Sequence, residues 1–234
     1  MIVLIITAVR VKSMDSHRIS GRILAENIAG PGMMRLGEQS MQAQAQKTSV
    51  TEIAVKEWKH PQAALTFDDG PDIRYTPLLL DGLKERNVRA SFFLLGEKVE
   101  QYPELVERMQ KEGHLVGNHT YHHVQLNKLN ETKAREEILK TNNLIYETTG
   151  VYPLYLRPPF GAWKKNLELC VEMLPVFWTI DTLDWKVKNT EKIVRTVKEQ
   201  IEDGAIILMH DEYDTSVEAA LQVVDELKNQ GDRK

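Results

Sequence analysis

The sequence is nearly without cysteine and has no long apolar run, and both absences narrow what it can be. Its one thiol, Cys170, excludes any internal disulfide and any cysteine-rich zinc site. That residue falls in the apolar pattern Leu167, Leu169, Cys170, Met173 and Leu174, where a thiol packs as a small hydrophobe rather than acting as a nucleophile. The amino-terminal run Ile2 to Val9 is too short for a membrane span, which needs about 20 residues, and it lacks the basic start of a secretory signal. Followed by Arg10 and Lys12, it reads as the tail of a truncated membrane anchor, with a plain hydrophobic start as the alternative. Neither sign of charge dominates. Thirty Lys and Arg against 34 Asp and Glu leave a net charge of -4, and without a basic cluster the chain has no electrostatic footprint for nucleic acid.

What is present suits one globular domain with an appendage: 234 residues, 42% hydrophobic and 27% charged. Ser13 to Ser49 is polar and poor in structural signals, with Gly30-Pro31-Gly32 and an alternating Gln-Ala tract, the composition of a linker or stalk. Residues 1–50 are therefore read as an amino-terminal extension and 51–234 as the domain. From Thr51 onward, apolar strands alternate with helical patterns, the signature of repeated βα units. After a short lead-in at Ile53 to Val55, strands are predicted at Ala63–Phe67, Ala90–Leu95, Leu115–Gly117, Leu154–Leu156, Val176–Ile180 and Ala205–Met209. Helices are predicted at Tyr75–Arg86, with Leu78, Leu79, Leu80 and Leu83 as its core face, around Leu105–Met109, and at Glu131–Thr149. Three more fall at Lys165–Met173, Thr190–Glu202 and Ser216–Lys228. Strands that are apolar end to end are buried on both faces. Six or seven of them, with no sequence repeat between units, suit a closed or nearly closed (β/α) barrel of fewer than eight strands. A doubly wound open sheet is the alternative.

Chemistry collects where the strands end. The run Leu65-Thr66-Phe67 stops at Asp68-Asp69-Gly70-Pro71, two adjacent carboxylates and a turn, and in α/β proteins sites are built at such carboxyl ends. Side chains alternate along a strand, so Asp68 and Asp69 diverge at first and only the turn can bring both to one place. After Leu115-Val116-Gly117 comes Asn118-His119-Thr120-Tyr121-His122-His123. His119 and His123 share a face if a helical turn begins there, and two such imidazoles with a carboxylate from elsewhere make a metal triad. His122 is expected to point away. His114 is expected to pack, or to make a hydrogen bond, at the strand start.

Together with Arg157-Pro158-Pro159-Phe160-Gly161, Asp181-Thr182-Leu183-Asp184-Trp185 and Leu208-Met209-His210, these segments resemble the five motifs of the NodB-like polysaccharide deacetylases, in the family's order. The likeness runs from about Lys59 to Asn229. It implies a distorted (β/α) barrel and one divalent metal ion, commonly zinc, although imidazole and carboxylate donors also accept cobalt or nickel. By carry-over, Asp69, His119 and His123 hold the metal, Asp68 is the general base, and Arg157 pairs with that base. His210 is the general acid, oriented by Asp184 rather than by its rival Asp181. The Phe160 amide donates to the developing oxyanion, since Pro158 and Pro159 have no N–H. The family often has tyrosine where Phe160 stands, a change that spares a main-chain role. Trp185 and Leu208 are expected to wall an acetyl pocket, and Tyr121 and Trp163 to offer faces to sugar rings.

The activity so implied is removal of N-acetyl groups from an amino-sugar polymer, peptidoglycan first, by a monomer outside the membrane or at the cell surface. Chitin oligosaccharides or O-acetyl esters are the alternative substrates. A non-catalytic glycan-binding protein is the alternative from a different class.

Overall fold

The computed structural model describes residues 62–163, 171 and 173–231. The extension, the lead-in at Ile53 to Val55, Cys170 and most of the helix predicted at Lys165–Met173 lie outside the described residues. Among the described residues seven strands form one parallel sheet: β1 Ala63–Asp68, β2 Ser91–Leu94, β3 Leu115–Asn118, β4 Tyr155–Leu156, β5 Leu174–Pro175, β6 Ile180–Asp181 and β7 Ala205–His210. Their order is β5-β4-β3-β2-β1-β7-β6, and the sheet curls into an incomplete (β/α) barrel rather than an open doubly wound sheet. Around it run α1 Tyr75–Glu85, α2 Gly96–Gln101, α3 Pro103–Lys111, α4 Glu131–Thr149, α5 Asp184–Val187, α6 Thr190–Gln200 and α7 Asp214–Gly231. No helix among the described residues is long and apolar enough to cross a membrane.

Alternation along the central strands sorts the core from the site. Leu65 and Phe67 of β1, Phe92 and Leu94 of β2, and Ile207 and Met209 of β7 face the helices and join one buried cluster with Leu79, Leu80 and Leu83 of α1. Phe67 stacks on Phe92 at 5.3 Å between ring centroids. Thr66, Asp68, Phe93, Leu208 and His210 are buried on the other face, and none belongs to that cluster. In register, Thr66 lies beside Leu208 and Asp68 beside His210, so one face of the β1–β7 pair carries the polar residues of the barrel mouth.

Caps bound the helices. The Asn130 side chain accepts the Lys133 N–H at the start of α4, and Gly150 ends it at φ 73°, with its N–H on the Tyr146 carbonyl. Asn189 caps α6 in the same way, accepting the Lys192 N–H.

Two expectations are corrected. Leu78 is 53% exposed, because a run of three leucines covers 200° of helix and only Leu79 and Leu80 reach the sheet. The single strand predicted at Val176–Ile180 is split. Its amino-terminal flank pairs with β4 as β5 and its carboxyl end pairs with β7 as β6. Between them Val176 donates its N–H to Leu156 and Thr179 donates to Ile206, so the segment crosses the gap in the barrel and changes partner on the way.

His114 is buried at the head of β3, edge-on to Phe92, and its Nδ1 accepts the Ala90 N–H at 3.0 Å. Burial lowers its pKa from 6.5 to about 4, against the weaker pull of Glu112. The unfolded chain therefore takes up this proton near pH 6.5 and the native chain only near pH 4, so stability is lost as pH falls through that window, by about 3 kcal/mol at most. Urea unfolding between pH 7 and pH 4 is expected to show this loss. His114→Asn, which keeps an acceptor for Ala90 and cannot titrate, is expected to flatten it.

Candidate active site

The site opens at the carboxyl ends of β1, β3, β4 and β7. Asp68 points inward from the last position of β1, and Asp69 takes φ 70°, a left-handed conformation that swings its carboxylate to the same side. The turn thus does what strand alternation alone forbids. Arg157, just after β4, is 0% exposed; its Nη1 donates to Asp68 Oδ1 at 2.7 Å and to Thr66 Oγ1 at 2.8 Å. The guanidinium lies 4.1 Å from the centre of the Phe93 ring. Sandwiched so, Asp68 is left one free oxygen, Oδ2, which sits 3.7 Å from His119 Nε2.

His119 and His123 do meet, but not on a helical turn. They belong to an irregular loop after β3 in which Thr120 and His123 both take positive φ, 66° and 55°. Asn118 shapes this loop from inside: its Oδ1 accepts the Thr120 N–H, and its Nδ2 donates to Ile138 and Asn142 on α4. Glu137 secures the outer side, accepting from the Tyr121 and His122 amides and holding the His122 ring away from the site. The His119 Nδ1–H donates to the Arg157 carbonyl at 2.6 Å, which fixes the tautomer and leaves the Nε2 lone pair free.

Asp69 Oδ1 lies 3.3 Å from His119 Nε2 and 3.4 Å from His123 Nε2. It is buried and has no hydrogen-bond partner among the described residues. Burial would raise the Asp69 pKa, but the neighbouring imidazoles of His119, His123 and His210 outweigh it and lower it. Burial also lowers the His123 pKa, which favours a neutral ring with a lone pair to give. One oxygen and two imidazole nitrogens, all within 4.8 Å of one another, fit a divalent cation of the zinc, cobalt or nickel type. The orphaned carboxylate oxygen is what such an ion would satisfy.

Across the mouth stands His210, at the end of β7. Asp184 accepts its ring Nδ1–H and its backbone N–H, each at 2.8 Å, and the Ser216 hydroxyl donates to the same carboxylate. Leu183, at φ 52°, turns Asp184 inward. Asp181, the rival, is occupied by the Leu183 amide. Burial by itself would lower the His210 pKa; the hydrogen bond and charge of Asp184, helped by Asp69 and Asp68, override it and raise it to about 9. His210 Nε2 lies 3.9 Å from Asp69 Oδ2, so both faces of the donor cluster have a titratable neighbour.

The rim is less uniform. Trp185 is 48% exposed beside Asp184, and Leu208 lines the inner face one strand position pair below His210. Phe160 is 66% exposed at φ 60°, with its ring 4.6 Å from that of His123. The flanking amides of Gly161 and Ala162 are taken by Pro158 and Pro159 carbonyls. Tyr121 is not a free sugar-facing ring. It is buried, with its hydroxyl on Glu100 and Lys140 over its face, because the loop folds it against α2 and α4. Trp163 packs onto a second apolar cluster of Leu126, Ala134, Ile138 and Leu156. Thr66, Asn118, Glu137 and Ser216 support the site without any signature in the sequence, since only their partners across the fold give them a task.

A parallel barrel with an Asp-His-His donor set at its strand ends, flanked by Arg-held and Asp-held titratable groups, defines the class as hydrolase-like. Comparison with known proteins narrows it. Residues 56–177 match the family model described as polysaccharide deacetylase, and the chain belongs to that family. It is 41% identical over 179 residues to a Bacillus cereus peptidoglycan-N-acetylglucosamine deacetylase, covering 74% of this chain and 65% of that protein. A Bacillus subtilis peptidoglycan-N-acetylmuramic acid deacetylase is 42% identical over 168 residues, or 72% of this chain and 36% of the relative. The chain thus spans under two thirds of the length of both. A solved peptidoglycan deacetylase structure from Bacillus subtilis superposes with a TM-score of 0.72 at 40% identity, over 74% of this chain and 86% of that one.

Removing the Asp184 charge tests the His210 couple. In Asp184→Asn the burial that lowers the ring's pKa is left without its main counterweight, so the value is expected to drop from about 9 to below 6.5. Histidine ring NMR recorded across pH 5 to 10 checks this, and a His210 still titrating near 9 contradicts it.

Proposed function

We propose that this chain hydrolyses N-acetyl groups of an amino-sugar polymer, peptidoglycan in the first place, releasing acetate and a free sugar amine. The observation that carries the reading is that two anchored pairs, Arg157–Asp68 and Asp184–His210, face one Asp69–His119–His123 cluster from opposite sides. Two titratable groups kept in opposite protonation roles are what amide hydrolysis requires.

Asp69, His119 and His123 would hold the divalent ion. When bound, that ion supplies Lewis acidity, lowering the pKa of water and polarising the acetamide carbonyl. Asp68 takes a proton from the attacking water through its free Oδ2, while Arg157 fixes the orientation of the carboxylate. As the C–O bond forms, negative charge grows on the acetyl oxygen, and the Phe160 N–H donates to it. The C–N bond then breaks, and His210, kept protonated by Asp184, gives its proton to the departing amine. Trp185 and Leu208 would wall the acetyl pocket, and the exposed Phe160 ring offers an apolar face beside it.

The relatives' names support peptidoglycan and divide between its two sugars, N-acetylglucosamine and N-acetylmuramic acid. Such a substrate places the work at the cell surface, consistent with an extension over residues 1–50 acting as anchor and stalk ahead of a catalytic domain over 51–234.

Acetate release from peptidoglycan and from chitin oligomers, each with metal-stripped protein and after zinc is restored, tests the proposal. Release that needs the metal is expected from peptidoglycan above chitin. Asp68→Asn is expected to lower turnover by about 10²- to 10⁴-fold while zinc still binds. Undiminished turnover in that variant, or a wild-type protein that binds no zinc, would sink the assignment.

A further inference from the structure

We propose that Asp211 is a positioning residue for the metal-competent turn, and that its carboxyl, packed on the Cα of Gly70, is what sets Asp69 in place. The inference rests on the reading of Asp69 as a metal ligand. Asp211 follows His210 at the end of β7, and the β1–β7 register brings it alongside the Asp69-Gly70 turn. It is completely buried, and among the described residues no salt bridge pairs it with a cation; Lys98 is bonded to Glu212 instead. The Thr76 hydroxyl donates to Asp211 Oδ2 and accepts the Asp72 N–H, while Asp72 Oδ1 accepts the amides of Arg74 and Tyr75. One chain of hydrogen bonds therefore runs from Asp211 through Thr76 into the turn 69–72 and the start of α1.

The second carboxyl oxygen makes the case. Asp211 Oδ1 has no hydrogen-bond partner among the described residues, and it faces Gly70: a Cβ there would lie 2.5 Å from Oδ1, 2.9 Å from Oδ2 and 3.1 Å from Cγ. Gly70 does not take a left-handed φ, so its backbone does not require glycine; the carboxyl above it does. A buried oxygen left unsatisfied costs stability and is unexplained by the core. Set against the residue after Asp69, whose own Oδ1 must lie near two imidazole nitrogens, it serves as the stop against which the turn closes. Groups that orient a ligand in this way typically change metal affinity by about 10- to 100-fold when removed.

The test is zinc affinity of the full chain, measured against a chromophoric chelator, with far-UV circular dichroism and Tm recorded alongside. Asp211→Ala is expected to weaken zinc binding at least about tenfold with its circular dichroism unchanged, whereas Asp211→Asn, which keeps the shape and an acceptor for Thr76, stays within about threefold. Gly70→Ala is expected to weaken binding by a similar factor in the native background and by less than about threefold in Asp211→Ala, because the atoms it would strike are gone. Wild-type zinc affinity in Asp211→Ala with only a lowered Tm would make the role structural and overturn the proposal. Strictly additive losses would also overturn it. If Asp211→Ala does not fold, Asp211→Ser replaces it in the cycle and the same additivity decides. A wild-type chain that binds no zinc would overturn the metal reading of Asp69 instead, which the native protein's own titration separates from the other outcomes.

Discussion

A guanidinium with no access to water sits at the centre of this barrel, and most of the site hangs from it. Arg157 gives Nη1 to Asp68 and Thr66, its carbonyl receives the His119 ring N–H, and its amide donates to the Asn118 carbonyl. One residue therefore ties β1, β3 and β4 together at the point where their polar ends meet. Burying such a cation is costly unless its partners are well placed, which makes the arrangement all-or-none: a displaced Asp68 would leave an uncompensated charge in the interior. Phe93 beneath the guanidinium plane adds a face that lysine could not use in the same way.

Around this centre, three aspartates of identical chemistry are given different surroundings. Asp68 is held by a cation and keeps one oxygen free. Asp69 is ringed by imidazoles, which hold it ionised despite its burial. Asp184 is likewise kept ionised, by the bonds from His210 and Ser216, and in turn it keeps His210 charged. The division of labour comes from what each carboxylate touches, not from the carboxylates themselves. Backbone conformation does the rest, since Asp69, Thr120, His123, Phe160 and Leu183 all adopt positive φ close to the mouth. Non-glycine residues hold such conformations only where their surroundings over-determine them; for Thr120 and Leu183 the Asn118 and Asp181 side chains do so by accepting their amides.

Much of this was legible from residue order. Strands apolar from end to end announced burial on both faces, and β1, α4 and β7 lie within a residue of the expected bounds at both ends. The Arg157, Asp184 and His210 pairings follow the motif order. Less legible was whatever depended on partners distant in sequence. Val176–Ile180 reads as one apolar strand, yet the segment must leave β4 and reach β7, so the ladder breaks between Pro175 and Ile180. Tyr121 looks like a solvent-facing aromatic in a polar loop, but Glu100 and Lys140, on two separate helices, fold it inward.

The sequence by itself determined the βα rhythm, the family, and which chemical groups stand at the strand ends, because those depend on local periodicity and on residue identity at fixed spacings. Only the tertiary structure decided that His119 and His123 converge through a left-handed loop rather than a helix. It alone decided that Asp69 Oδ1 is left without a hydrogen-bond partner among the described residues, and that the glycine after it answers to a carboxyl from the far end of the chain. Desolvation and close packing act between groups that folding brings together, and no local pattern in the chain encodes which groups those will be.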